Sequence, residues 1–223
     1  PNFKDTIKLK ENKILINYKK DKLDIYGKGK IVLEDKIEFL EYQLIRKNNN
    51  YNFDTTIDIN KSSLLFKVLD YKKNKDSNST LNLRGTYKHN KEIYFNSISF
   101  KENDNQFLFK NLYLDNKFKI LDIDKIDLDY VNNNKIKNQI SLKKNKNTYQ
   151  INGKSFDFIK IIDEILHTDE KVSSSIFSNL TSYINIKINK AYLDQDEFVT
   201  DLSGYIQYKN NKINKLNLIS TFP

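Results

Sequence analysis

Four aspartates crowd into the nine residues Leu121-Asp122-Ile123-Asp124-Lys125-Ile126-Asp127-Leu128-Asp129. In an extended strand Asp122 and Asp124 share one face, and Asp127 and Asp129 share one face beyond a break near Lys125, because successive side chains alternate. Carboxylates paired in this way can hold a hard cation or divide acid and base roles. The simpler account makes them the wet face of a strand whose reverse bears Ile123, Ile126 and Leu128. Asp194, Asp196 and Glu197 gather near a turn but lack the spacing and central glycine of a helix-loop-helix calcium site, so a charged hairpin is expected there. His89 and His167 are the two histidines of the chain. Neither has a His or Cys companion: His89 falls in an apparent hairpin turn, and His167 at the end of a helical pattern, where a cation is favoured.

The chain has no cysteine, which removes thiol nucleophiles, cysteine metal sites and disulfide scaffolds but does not exclude an oxidising compartment. No nucleophile elbow, zinc motif or Gly-rich phosphate loop is present. No catalytic residue, metal or cofactor is therefore expected, and function must come from a surface or a groove.

The elements that would carry such a surface are strands. Period-two alternation dominates, with Ile14, Ile16 and Tyr18 leading through a turn at 19–22 to Leu23 and Ile25. Residues 36–45 place Leu40, Tyr42 and Leu44 on one side. After the asparagine turn 48–50, Tyr51, Phe53, Thr55, Ile57 and Ile59 share a face, which makes a hairpin. Residues 62–69 read as a short helix or a buried strand, and 72–79 as a polar turn or mobile loop. Alternation resumes at Leu81, Leu83, Gly85 and Tyr87, followed by strands at 92–100, 106–114, 118–130, 136–142 and 148–151. One helix is expected, capped by Ser155, with Phe158, Ile161, Ile162, Ile165 and Leu166 on its apolar face; it would cover an edge or open end of the sheet. Beyond a polar linker at 168–175, Ile184, Ile186 and Ile188 alternate with polar residues. Leu202, Gly204, Ile206 and Tyr208 do the same on the next strand, and Leu216 and Leu218 on the last. Without crossover helices this pattern predicts a hairpin meander with one dry and one wet face, not a parallel α/β domain.

The expected fold is thus mainly β: an elongated, curved antiparallel sheet forming an open groove, with one short capping helix. Residues 1–223 are read as a fragment of such a domain, since the chain starts at Pro1 and enters a strand pattern almost at once. The net charge of +9 comes with only two arginines, Arg46 and Arg84, and with lysines spread through strands and turns beside acids. Nucleic acid is therefore not expected as a partner, whereas weak attraction to an anionic membrane surface stays open.

Residues 151–223 carry a resemblance. A strand ends at Asn152-Gly153 and Phe156-Asp157-Phe158 follows. Then come Ser182-Tyr183-Ile184-Asn185-Ile186-Lys187-Ile188, Ala191-Tyr192-Leu193, Leu202-Ser203-Gly204-Tyr205-Ile206-Gln207-Tyr208 and Ile213-Asn214-Lys215-Leu216-Asn217-Leu218. In this order the segment resembles the AsmA-like family, especially the YhdP-like envelope proteins, with Gly153 at the turn before the helical segment and Asp157 at its early acidic position. The resemblance implies a periplasmic protein, anchored to the inner membrane through a region outside this chain, that carries phospholipid along a hydrophobic β-groove; envelope membrane proteins are further expected partners. A strand of six to nine residues spans roughly 20–30 Å, comparable to an extended acyl chain, and each methylene kept from water is worth about 0.8 kcal/mol. The candidate lipid-lining residues are Ile184, Ile186, Ile188, Leu202, Ile206, Tyr208, Leu216 and Leu218. The alternative is a structural or protein-interaction β-sandwich in which the same residues pack on a second sheet.

Overall fold

A computed structural model describes residues 8–88, 92–160, 182–194, 196–209 and 212–222. Thirteen strands form one sheet whose ends do not meet. They are β1 (Leu9–Lys19), β2 (Lys22–Leu33), β3 (Lys36–Lys47), β4 (Asn50–Asp58), β7 (Ser79–Lys88), β8 (Glu92–Glu102), β9 (Asn105–Asp115), β10 (Ile120–Val131), β11 (Lys137–Asn145), β12 (Thr148–Asp157), β13 (Ser182–Tyr192), β14 (Phe198–Lys209) and β15 (Lys212–Thr221), side by side in that order. A separate two-stranded piece, β5 (Leu64–Phe66) and β6 (Tyr71–Lys73), is inserted between β4 and β7.

The expected mainly β, open, curved sheet is therefore the fold. Its hairpins close through two-residue turns with left-handed backbone at Lys20, Glu34, Asp35, Asn48, Asn103 and Lys146. These turns suit the right-handed strand twist, and the chain fills them with Asn, Asp, Glu and Lys rather than with its five glycines. One step departs from the expected meander: β12 and β13 run parallel.

The register lines up apolar residues across the whole width. Ile14, Gly27, Tyr42, Thr55, Leu83, Ile98, Phe109, Ile126, Leu142, Ile151, Ile186, Gly204 and Leu218 form a single row of directly paired positions, from β1 to β15. Paired residues project to the same side, so this row defines one apolar face. Gly27 is required by its neighbour, since a Cβ there would sit 2.2 Å from the Tyr42 ring. Gly204 is required by its own backbone, with φ at +145°.

Two lines of kinks cross the sheet. On β8, β9 and β10, Asn96, Asn111 and Asp124 drop out of the ladder side by side, and the apolar positions step by three instead of two, from Phe95 to Ile98, Phe109 to Leu112 and Ile123 to Ile126. Asn111 has φ at +52°, receives the Tyr94 hydroxyl at 2.6 Å and donates to Asp124 at 2.7 Å. On β12, β13 and β14 the same happens at Lys154, Asn189 and Asp201. Each line begins at a bulge, and bulges bend and twist a strand. Stacking them across neighbours bends the sheet as a unit while keeping the apolar face continuous.

Ile159 and Lys160 are helical, and the Ile159 N–H donates to the Asp157 side chain at 2.9 Å, so a helical segment opens beyond the expected cap. Ser155, expected to cap a helix, lies inside β12 and donates its hydroxyl to the Lys137 carbonyl. Pairing of Ser155, Phe156 and Asp157 with Lys190, Ala191 and Tyr192 extends the strand through the anticipated cap. Phe158 packs against the sheet core, whereas Ile161, Ile162, Ile165 and Leu166 lie outside the described residues.

Candidate functional site

Seven of the eight candidate lining residues fall on the apolar side by register. Ile184, Ile206 and Leu216 are paired in one row, Ile186 and Leu218 flank Gly204 in the next, and Ile188 pairs with Leu202 in a third. The backbone of Tyr208 pairs with that of Ser182. Their exposure differs: Ile186 and Ile188 are buried, Ile184, Leu202 and Ile206 half-buried, and Leu216 and Leu218 exposed. The face extends well beyond these residues. A row through Ile16, Ile25, Leu44, Phe53, Gly85, Phe95, Leu112 and Ile123 continues it over the first eight strands of the sheet. Alternation at Leu44 and Phe53 was a sufficient signal for that extension; what the sequence lacks is the register that aligns them with Ile184 and Ile206.

One end of the face is closed by the β5–β6 insert. Phe66 stacks on Phe107 at 5.4 Å between centroids, and Tyr71 lies 4.8 Å from Phe107 and 5.7 Å from Tyr130. Tyr71 donates its hydroxyl to Glu102, and Tyr130 donates to the Leu69 carbonyl at 3.0 Å. Burial pushes both phenols well above their ordinary range, with Glu102 adding to the effect on Tyr71 and Asp157 and Asp70 to that on Tyr130. The insert is anchored by two buried opposite charges on one turn. Glu38 accepts the backbone N–H groups of Asn60, Lys61 and Ser62 at 2.9, 2.8 and 2.6 Å. Lys73 donates to the carbonyls of Ser62 and Asn74, each at 2.8 Å. Burial raises the Glu38 pKa, but the donated hydrogen bonds outweigh it and hold the carboxyl below its usual value. The residues expected as a polar loop at 72–79 thus include a fully buried lysine, and the apolar and aromatic residues Leu64, Phe66, Leu69 and Tyr71 were the signal for a packed insert.

Toward the other end, the row containing Ile184 and Ile206 is interrupted by Lys144, paired with Tyr149. Asp122 neutralises this charge: it accepts from Lys144 and, at 3.0 Å, from the Tyr149 hydroxyl. Burial works against the ionised carboxyl, yet these donors hold the Asp122 pKa below the usual range, while burial and Asp122 raise the Tyr149 phenol.

The acidic cluster is dispersed by the fold. Asp122 joins Lys144, Asp124 joins Asn111, Asp127 pairs with Lys125, and Asp129 pairs with Lys137 and accepts from Gln139 at 3.0 Å. Asp127 and Asp129 line a shallow trough of about 620 Å³ on the polar side, with Gln106, Gln139, Asn152, Lys154, Lys187 and Asn189. Asp194 and Glu197 sit in the β13–β14 turn, where the Leu193 N–H donates to the Glu197 carbonyl at 3.0 Å. His89 and His167 lie outside the described residues. Comparison with known protein families, curated proteins and solved structures finds no match to this chain.

Proposed function

We propose that this protein is a non-enzymatic module that shields the acyl chains of phospholipid on the apolar face of its sheet. The observation that carries the reading is the mainly apolar row from Ile14 to Leu218, with Thr55 as its one aliphatic hydroxyl, on a single open sheet. At about 4.8 Å per strand the thirteen strands offer a path on the order of 60 Å. A two-chain lipid needs such a continuous surface, because each methylene left in water costs about 0.8 kcal/mol. The insert closes one side of the face, and the Asp122–Lys144–Tyr149 cluster gives the other a polar margin suited to a headgroup. The AsmA-like resemblance supplies the setting: the periplasm, with anchorage to the inner membrane and envelope proteins as partners. No chemical step belongs to this role.

A second reading has support in the sheet edges. β1 exposes Ile14, Leu15 and Ile16, and β15 exposes Leu216, Leu218 and Ile219, on both faces of strands that are each paired on one side in the sheet. Such edges accept a strand from a protein partner, which would make the domain structural.

Native mass spectrometry of the gently purified protein, with solvent extraction and lipid analysis, separates the two. The transport reading expects co-purifying phospholipid that is lost in Leu216→Asp and Leu218→Asp, two exposed positions that tolerate the charge. A folded protein that stays free of lipid after incubation with phospholipid vesicles would overturn it in favour of the structural reading.

A further inference from the structure

Strand direction sorts the connections between the two ends of the sheet, and the two ends differ in charge. The turns 19–22, 47–50, 115–120 and 145–148 all lie at the end away from the β5–β6 insert. Together they carry a net charge of +5, through Lys19, Lys20, Lys47, Lys117, Lys119 and Lys146 among others. The connections at the insert end, 33–36, 58–79, 102–105, 131–137 and 192–198, sum to −2. The basic end also presents aromatic rings. Phe118, 46% exposed, sits at a turn tip between Lys117 and Lys119 with left-handed backbone, and Tyr18 and Tyr183 are exposed near strand ends on the same end of the sheet. Lysines interleaved with exposed aromatic rings match the polar margin of a bilayer, where the rings sit at headgroup depth and the ammonium groups meet anionic lipid.

We infer that this end of the sheet docks on an anionic bilayer surface, with Phe118 inserted at the interface and the insert end held away from it. The total charge of +9 would draw the protein to such a surface in any orientation; the segregation of charge and aromatic rings fixes which end arrives first. This docking stands independently of whether the apolar face carries acyl chains.

The chain has no tryptophan, so Phe118→Trp and, at the opposite end, Leu65→Trp each introduce a single fluorophore at an exposed site. Each is titrated with vesicles of phosphatidylcholine containing about one third phosphatidylglycerol, with and without brominated acyl chains. The expected result is bromine quenching of Trp at position 118 and none at 65. In sedimentation with the same vesicles, the triple variant Lys20→Glu, Lys47→Glu and Lys146→Glu should lose about tenfold in partitioning or more. Lys61→Glu, Lys75→Glu and Lys135→Glu changes the total charge equally at the other end and should stay within about twofold. Binding to pure phosphatidylcholine should be weak, and raised salt should release the protein. Equal losses from both triple variants, or quenching at neither or both positions, would overturn the proposal. Sedimentation reads docking without extracting lipid from the protein, so a failure of the groove reading leaves this result interpretable.

Discussion

Ile188 on interior strand β13 and Ile16 on edge strand β1 share residue type and the same side of the same sheet, yet one is 0% and the other 60% exposed. Alternation chooses the face; what lies across that face chooses burial. In the middle of the sheet the kink lines and the β5–β6 insert bring Tyr71, Phe100, Phe107, Tyr130, Ile186 and Ile188 into one cluster. The β1–β4 wing and β15 extend the same face, and their outermost apolar residues remain in contact with solvent. Stability should therefore reside in the middle, while the wing and the last strand are free to serve binding.

The largest expected contrast is between Phe107→Ala and Ile16→Ala. Removing Phe107 takes away the ring against which Phe66, Tyr71 and Tyr130 pack, and should cost about 3–5 kcal/mol in urea unfolding. Ile16→Ala should stay within about 0.5 kcal/mol. Equal costs would mean that the wing is as tightly packed as the middle.

A smaller effect is expected where the insert joins the wing. Glu38→Gln replaces a buried carboxylate that binds three backbone N–H groups, and should cost on the order of 1–3 kcal/mol. Amide hydrogen exchange should rise in the insert first, with little change in β1. Lys73→Met acts on the carbonyls of the same turn, so the two losses should not add.

The pH dependence follows from the same groups. Glu38 and Asp122 both have folded-state values below their ordinary ones. A carboxyl of this kind contributes stability that is present above its unfolded value and is lost as pH falls through its folded value. The urea midpoint should therefore fall as pH drops below about 4.5, and Glu38→Gln and Asp122→Asn should each flatten that acid limb. An unchanged limb in both variants would remove these two groups as its source. The smallest effect on stability is expected from Leu216→Asp, within about 0.5 kcal/mol, because Leu216 is 58% exposed.

Much of the strand content was legible, since Ile184-Asn185-Ile186-Lys187-Ile188 and Leu40 to Leu44 display the period of a two-faced sheet without reference to anything distant. The kinks at Asn96, Asn111 and Asp124 were not, apart from a break anticipated near Lys125. A three-residue step in one strand has meaning only when its neighbours make the same step. Ser155 misled for a related reason: its local capping pattern yields to pairing with Lys190, a strand distant in sequence. The insert was half legible, because Leu64 to Leu69 signalled burial while the lysines around Tyr71 suggested a loop. Nothing local shows that Lys73 meets a ring of carbonyls. The eight candidate residues were legible only as parts of one-sided strands, and the register extends the apolar face across β1–β10.

The most direct test of acyl-chain binding is photo-crosslinking with a phospholipid that carries a diazirine in its acyl chain, mapped by peptide mass spectrometry. The account predicts adducts on the apolar side, at Leu44, Phe53, Ile206 and Leu216, and none at the adjacent polar-side positions Gln43, Asp54, Gln207 and Asn217. Adducts distributed over both sides, or none above a protein-free control, would contradict it.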